Sequence, residues 1–166
     1  MGGAGRAFLG LSQPIIPELP MSALNATVFP GTSLQAGKPL RIALWTAQVL
    51  LAAMFVMSGF MKLMTPIAEL SAMMPWTGQV PVAFVRFIGI VDLAGGIGIL
   101  LPSLTRIQPR LTVLAALGCV VLQVLAFGFH ASRGETVALP VNVLLMALSA
   151  FVLWGRSKKA PILPRA

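Results

Sequence analysis

The chain has one cysteine, Cys119, and one histidine, His130, in 166 residues. A single cysteine excludes an intrachain disulfide and any dithiol redox cycle run within the chain. A single histidine, with no second histidine or carboxylate at ligand spacing, argues against a metal centre or a bis-histidine haem. Charge is scarce too. Charged residues are 10% of the chain and only four are Asp or Glu. An average soluble domain carries about 25% charged residues. So few charged side chains do not clothe a soluble globule of this size, which sets a cytosolic enzyme aside. The sequence also lacks a phosphate loop, a hydrolase elbow and a dinucleotide fingerprint. The glycines from Gly89 to Gly98 lie inside an apolar run with no strand before them.

What is abundant is apolar. Hydrophobic residues make up 57% of the chain and the mean hydropathy is +0.91. The net charge is +8. Its basic residues gather at the ends of apolar runs, the pattern of a protein held in a bilayer with anionic lipid on one face. That distribution points away from nucleic acid as a partner.

Four uncharged or nearly uncharged runs are present: Ile42–Met61, Val82–Leu101, Leu111–Phe129 and Thr136–Gly155. A helix needs about 20 apolar residues to cross a hydrocarbon core of about 30 Å. Inside lipid every backbone N–H needs an internal partner, and the runs show no period-2 alternation, so helices are expected and not barrel strands. Prolines punctuate the connections: Pro66, Pro75 and Pro81 in the first, Pro102 and Pro109 bracketing the second. Pro140 falls in the first turn of the last helix, where its missing N–H costs little. Short later loops make consecutive helices antiparallel neighbours. The expected fold is all-α: an antiparallel bundle of four transmembrane helices over residues 38–156. Gly59, Gly89, Gly95 and Gly96 are the expected points of close helix approach.

Residues 1–37 are rich in Gly and Pro without an apolar period, and read as a flexible cytoplasmic tail. Ala7–Leu11 is too short for the core of a signal peptide. Met21 is an alternative start. Residues 157–166 read as a basic cytoplasmic C-terminal tail. Lys38, Arg41, Arg106, Arg110, Arg156, Lys158, Lys159 and Arg165 fall on the side of both termini, against Arg133 in the opposite loops. This bias predicts both termini in the cytoplasm. Tyrosine is absent, so Trp45 and Trp154 mark the inner interface and Trp76 the outer loop.

Depth along the runs gathers polar residues in the outer half: Lys62, Arg86, Asp92, Gln123, His130 and Asn142. The inner half offers mainly Gln48. Asp92 falls near the midplane, where an ionised carboxylate costs about 2.5–3.5 kcal/mol, so it requires a partner or a proton. Lys62 and Arg86 are the expected partners. Arg86 also has donors enough to bridge to Gln123 or Asn142. The bland alternative for Lys62 and Arg86 is snorkelling to the interface.

Ser58-Gly59-Phe60-Met61-Lys62-Leu63, then Arg86-Phe87-Ile88-Gly89 with Asp92 and Gly95-Gly96, then Leu101-Pro102, resemble the DoxX-like family of small bacterial membrane proteins. His130, Asn142 and Gly155-Arg156 extend the resemblance over roughly residues 42–156. The acidic position is often Glu in that family, and Asp92 is shorter by one methylene. The resemblance implies a four-helix protein of the bacterial inner membrane. Relatives are linked to quinone-dependent thiosulfate oxidation and to redox-stress complexes. By that resemblance the chain is expected to be the membrane subunit of a redox system. Its polar cluster would bind a quinone head group or anchor a partner, and a partner protein would supply electrons. A non-enzymatic small-solute carrier or a scaffold is the alternative, with a homo-oligomer open in either case. No intrinsic cofactor or metal is expected.

Overall fold

The structure, a computed structural model, describes residues 37–165. The expected N-terminal tail, Gly37 apart, lies outside the described residues. Helix α1 spans Lys38–Met64, α2 Ile67–Met73, α3 Val82–Thr105, α4 Arg110–Ser132 and α5 Leu139–Trp154. A 3-10 turn, Pro75–Gly78, follows α2, and a π-turn, Gly155–Lys159, continues α5. Among the described residues there is no strand. α1, α3, α4 and α5 with its π-turn are each long and apolar enough to cross a membrane.

Proline chemistry explains most boundaries. α1 ends at Thr65, extended at ψ 136°, because the residue before Pro66 is pushed out of the helical region. α3 starts directly after Pro81. It does not stop at Leu101, as the apolar run suggests. It runs through Pro102 to Thr105, and Arg106, left-handed at φ 58°, closes it by donating its N–H to the Pro102 carbonyl at 3.0 Å. A proline one turn from a helix end removes a single ladder bond, which the helix tolerates there. α5 begins at Leu139, later than the expected Thr136, because residues 135–138 are spent on the turn. Gly134, at φ +68°, makes that reversal. The first connection is not plain loop either, since α2 and the 3-10 turn fold over one end of the bundle.

α1 packs on α3, α3 on α4, α4 on α5, and α5 returns to α1. This is the up-and-down antiparallel bundle expected of short connections. Its core holds Leu51, Phe55, Ile99, Ala116, Cys119, Leu145 and Val152. Outward faces are as apolar as the core: Ile42, Met57, Phe87, Ile90, Leu114 and Leu125 are all exposed. Such faces suit lipid as the surrounding solvent, and lipid gives helices no hydrophobic drive to associate. Close van der Waals contact takes its place. A Cβ on Gly59 would stand 2.6 Å from the Gly89 carbonyl oxygen, and one on Gly96 3.0 Å from that of Ala52. Gly59, Gly89 and Gly96 therefore bring α1 and α3 together, while Gly95 lies against Cys119 of α4.

Candidate functional site

Six basic residues, Lys38, Arg41, Arg110, Arg156, Lys158 and Lys159, mark one end of the bundle, called the basic end below; the other half is the distal half. In the distal half Lys62, on the last turn of α1, reaches inward along α3. Its Nζ donates to Asp92 Oδ2 at 2.9 Å. Ser58, one turn earlier on α1, accepts a bond from Lys62 Nζ and donates to the same Asp92 oxygen at 2.9 Å. All three come together because Gly59 and Gly89 let the two backbones touch at this level. Lys62 and Asp92 are 6% and 5% exposed, so the pair is a buried ion pair with a hydroxyl bridging it. Asp92 Oδ1 has no partner among the described residues.

Arg86 does not join this group. By sequence it could reach Asp92, Gln123 or Asn142. Instead Nη1 donates to the carbonyls of Lys62 and Thr65, the latter at 3.1 Å. It caps the C-terminus of α1, where the last carbonyls lack helical partners and the helix dipole favours a cation. Arg86 thus holds the backbone of Lys62, not the acid.

Gln123 of α4 and Asn142 of α5 are buried near the ion pair. Gln123 Oε1 and Asn142 Nδ2 find no partner among the described residues. A buried amide atom left unpaired costs about 1–3 kcal/mol, so each keeps bonding capacity that the described residues leave unmet. Both residues line a cavity of about 490 Å³ together with Ser58, Lys62, Asp92 and His130. The remaining wall is apolar, with Met54, Phe55, Ile88, Leu122 and Leu145 from the spans. Met73, Met74 and Trp76, from the connection after α1, roof it. Trp76 is not an open-loop marker: it is 8% exposed and packs with Leu70 and Val85, edge-on to Phe129 and His130.

His130 sits at the cavity rim, its Nδ1 2.6 Å from Glu135 Oε2. Arg133 Nε donates to the other Glu135 oxygen at 2.9 Å, and its Nη2 donates to Gln79. Burial works against ionisation, but the hydrogen bonds and charges of His130 and Arg133 outweigh it and hold the Glu135 carboxyl below its ordinary value. Glu135 and Ser58 are the cavity groups that sequence reasoning misses. In the sequence Glu135 reads as a turn residue and Ser58 as part of a motif. No cluster of three metal-ligating side chains exists among the described residues.

The half at the basic end is more polar than the sequence suggests. Gln48 is not alone there. Its Nε2 donates to the Ile99 carbonyl at 2.8 Å and to Ser103 Oγ at 2.9 Å, and Ser103 Oγ is 2.8 Å from Thr112 Oγ1. Arg156 completes the network, donating Nε–H to Gln48 Oε1 at 2.7 Å with its guanidinium over the Trp45 ring. Ser and Thr hide in apolar runs because their hydroxyls are easily satisfied locally. Arg156 reads as an end marker in the sequence because only the fold turns it inward.

Comparison with curated proteins and with solved structures finds no match. The family model described as the DoxX-like family matches residues 46–152, well over half of the chain. That match covers Ser58, Lys62, Arg86, Asp92, Gln123, His130 and Asn142, and with four apolar spans it identifies a multi-pass integral membrane protein. The chain belongs to the DoxX-like family.

Proposed function

We propose that the distal cavity binds the head group of a membrane-dissolved quinone. In this reading the protein is the membrane subunit of a quinone-linked or redox-stress oxidoreductase system. The observation that carries the reading is the pair of unpartnered amides, Gln123 and Asn142, on a largely apolar cavity. Its volume falls within the range of small-molecule sites, about 300–1,000 Å³. A quinone ring is flat and apolar with hydrogen-bond acceptors at its two ends, and it needs this combination of walls and donors. The residues fit it: Asn142 Nδ2 and Lys62 Nζ are donors to a quinone oxygen, Gln123 Oε1 accepts from the hydroxyl of the reduced quinol, and Met54, Phe55 and Leu122 are apolar surface.

When bound, a quinone supplies two-electron, two-proton chemistry. The chain's own part is to orient the ring, exclude water and hold protons. Asp92 Oδ1, free of bonds from the described residues, is the atom placed to hold a proton beside the cavity. Lys62 keeps that carboxylate in position. Electrons would come from a partner protein, since one cysteine runs no dithiol cycle.

A small anion carried without chemistry is the alternative. The charge balance favours the quinone: Lys62 is matched by Asp92, so the pair offers no net charge to draw an anion. We also place the protein in the bacterial inner membrane with both termini in the cytoplasm, on the distribution of basic residues.

The test uses Trp76 as a built-in probe. Purified protein in detergent is titrated with a short-chain benzoquinone while tryptophan fluorescence is followed. Saturable quenching is expected. Asn142→Leu should weaken it about tenfold, the loss of about 1.4 kcal/mol, and Gln123→Leu should weaken by as much the binding of the reduced quinol, whose hydroxyl Oε1 accepts. Non-saturating quenching, the same in wild type and both variants, rules the site out. Solute flux into liposomes without a redox partner would establish the carrier instead.

A further inference from the structure

At the basic end the guanidinium of Arg156 is held inside the fold with no acid to match it among the described residues. The residue is 5% exposed. Nε is bonded to Gln48 and Nη1 to the Ala160 carbonyl at 3.3 Å, but Nη2 has no partner among the described residues. Of the described acids, Asp92 is paired with Lys62, Glu135 with His130 and Arg133, and Glu69 lies on α2, all in the distal half. Arg41 adds like charge nearby. A buried cation without a counter-ion is costly, and this one is also short of a hydrogen bond.

Arg156 lines a groove of about 620 Å³ between the start of α4 and residues 161–164. Arg110, exposed on the first turn of α4, lines it too. That first turn carries no acidic residue, so the positive end of the α4 dipole is uncompensated. Apart from Thr112 and Ser157 the rest of the groove is apolar. Leu114 and Leu117 continue it along α4 onto the lipid-facing side, where both are exposed.

We propose that this groove binds an anionic phospholipid, its phosphate on Arg156 and Arg110 and the first methylenes of its chains along Leu114 and Leu117. The phosphate supplies the missing acceptor and the missing negative charge. A free phosphate would satisfy the arginines and leave the apolar wall uncovered. The phospholipid covers both. The site is at the opposite end from the quinone cavity and does not depend on it.

The experiment measures thermal unfolding of the full chain in a neutral detergent, with added phosphatidylglycerol, phosphatidylcholine or inorganic phosphate. Phosphatidylglycerol should raise Tm by several degrees over phosphatidylcholine, and inorganic phosphate should not reproduce the rise. Arg156→Gln should abolish it. Because Arg156 also bonds Gln48, the deciding variant is Arg110→Gln at the exposed position, which should lose at least half of the rise. Lys38→Gln, a basic residue outside the groove, should keep it. Equal shifts with both lipids, an unchanged shift in Arg110→Gln, or the same rise with inorganic phosphate overturns the proposal.

Discussion

Lys62 Nζ stands 2.9 Å from Asp92 Oδ2, and Ser58 Oγ is bonded to both, so the acid and base buried in the spans neutralise each other across the α1–α3 seam. Neither has to leave the membrane interior. Charge, glycine contact and cavity wall coincide at this pair.

Asp92→Asn should destabilise the protein strongly. It leaves Lys62 buried without its counter-ion, a loss of about 3–5 kcal/mol for a broken buried pair. The double variant Asp92→Asn, Lys62→Met removes both charges and should recover much of that loss. Arg86→Met should not rescue, because Arg86 bonds carbonyls and not Asp92. Thermal unfolding in detergent reads all three; an Asp92→Leu protein as stable as wild type would show that the pair carries no weight.

Arg86→Met should cost about 2 kcal/mol, the worth of hydrogen bonds to a charged donor lost from buried acceptors. Arg86→Lys should recover only part, since a point ammonium does not replace a forked donor. Hydrogen exchange at the C-terminal end of α1 should rise in the methionine variant. Unchanged exchange there would remove the capping role.

Gly59→Ala should destabilise by about 1–3 kcal/mol through overpacking at the α1–α3 contact. Gly118 of α4 is the control, with nothing within 4 Å of an added Cβ. Gly118→Ala should be neutral or stabilising by up to about 1 kcal/mol, from helix propensity alone. Similar losses for both, measured by unfolding midpoint, would mean that glycine position is irrelevant.

Glu135 sets a pH dependence on the distal turn. Its carboxyl is lowered in the folded state, so its contribution is fully present above the unfolded carboxylate range, about 4.3. It is lost as pH falls through the folded value. Glu135→Gln should therefore lower Tm at pH 7 by a small amount, and the gap should shrink as the solution is acidified below that range. A gap of the same size from neutral to strongly acid solution contradicts the assignment.

Reporter fusions at Gly78 and Ser132 should read as periplasmic and one after Lys159 as cytoplasmic. A periplasmic signal after Lys159 means an odd number of spans and defeats the orientation.

The four spans and their antiparallel order are legible in the sequence, because run length and the demand for internal backbone hydrogen bonds leave a membrane chain few options. The depth of Lys62, Asp92, Gln123 and Asn142 is legible too, since rise per residue is constant in a helix. Depth, however, says nothing of rotation. By depth alone Asp92 has two candidate partners. Only the meeting of Gly59 with Gly89 turns Lys62 toward it and leaves Arg86 to cap the neighbouring chain end.

The same limit hides the network around Gln48. Ser103 and Thr112 are close in sequence but on different helices, and Arg156 follows a span that merely seems to end. Their hydroxyls and guanidinium carry little signal until four helix faces converge on them. The roof over the cavity, with Trp76 buried within it, comes from a connection whose prolines read only as breaks. Composition and periodicity determined what spans the membrane. Rotation of each helix about its axis, set by which small residues touch, decided which polar groups pair and which of Gln123, Asn142 and Arg156 keep an atom unmet.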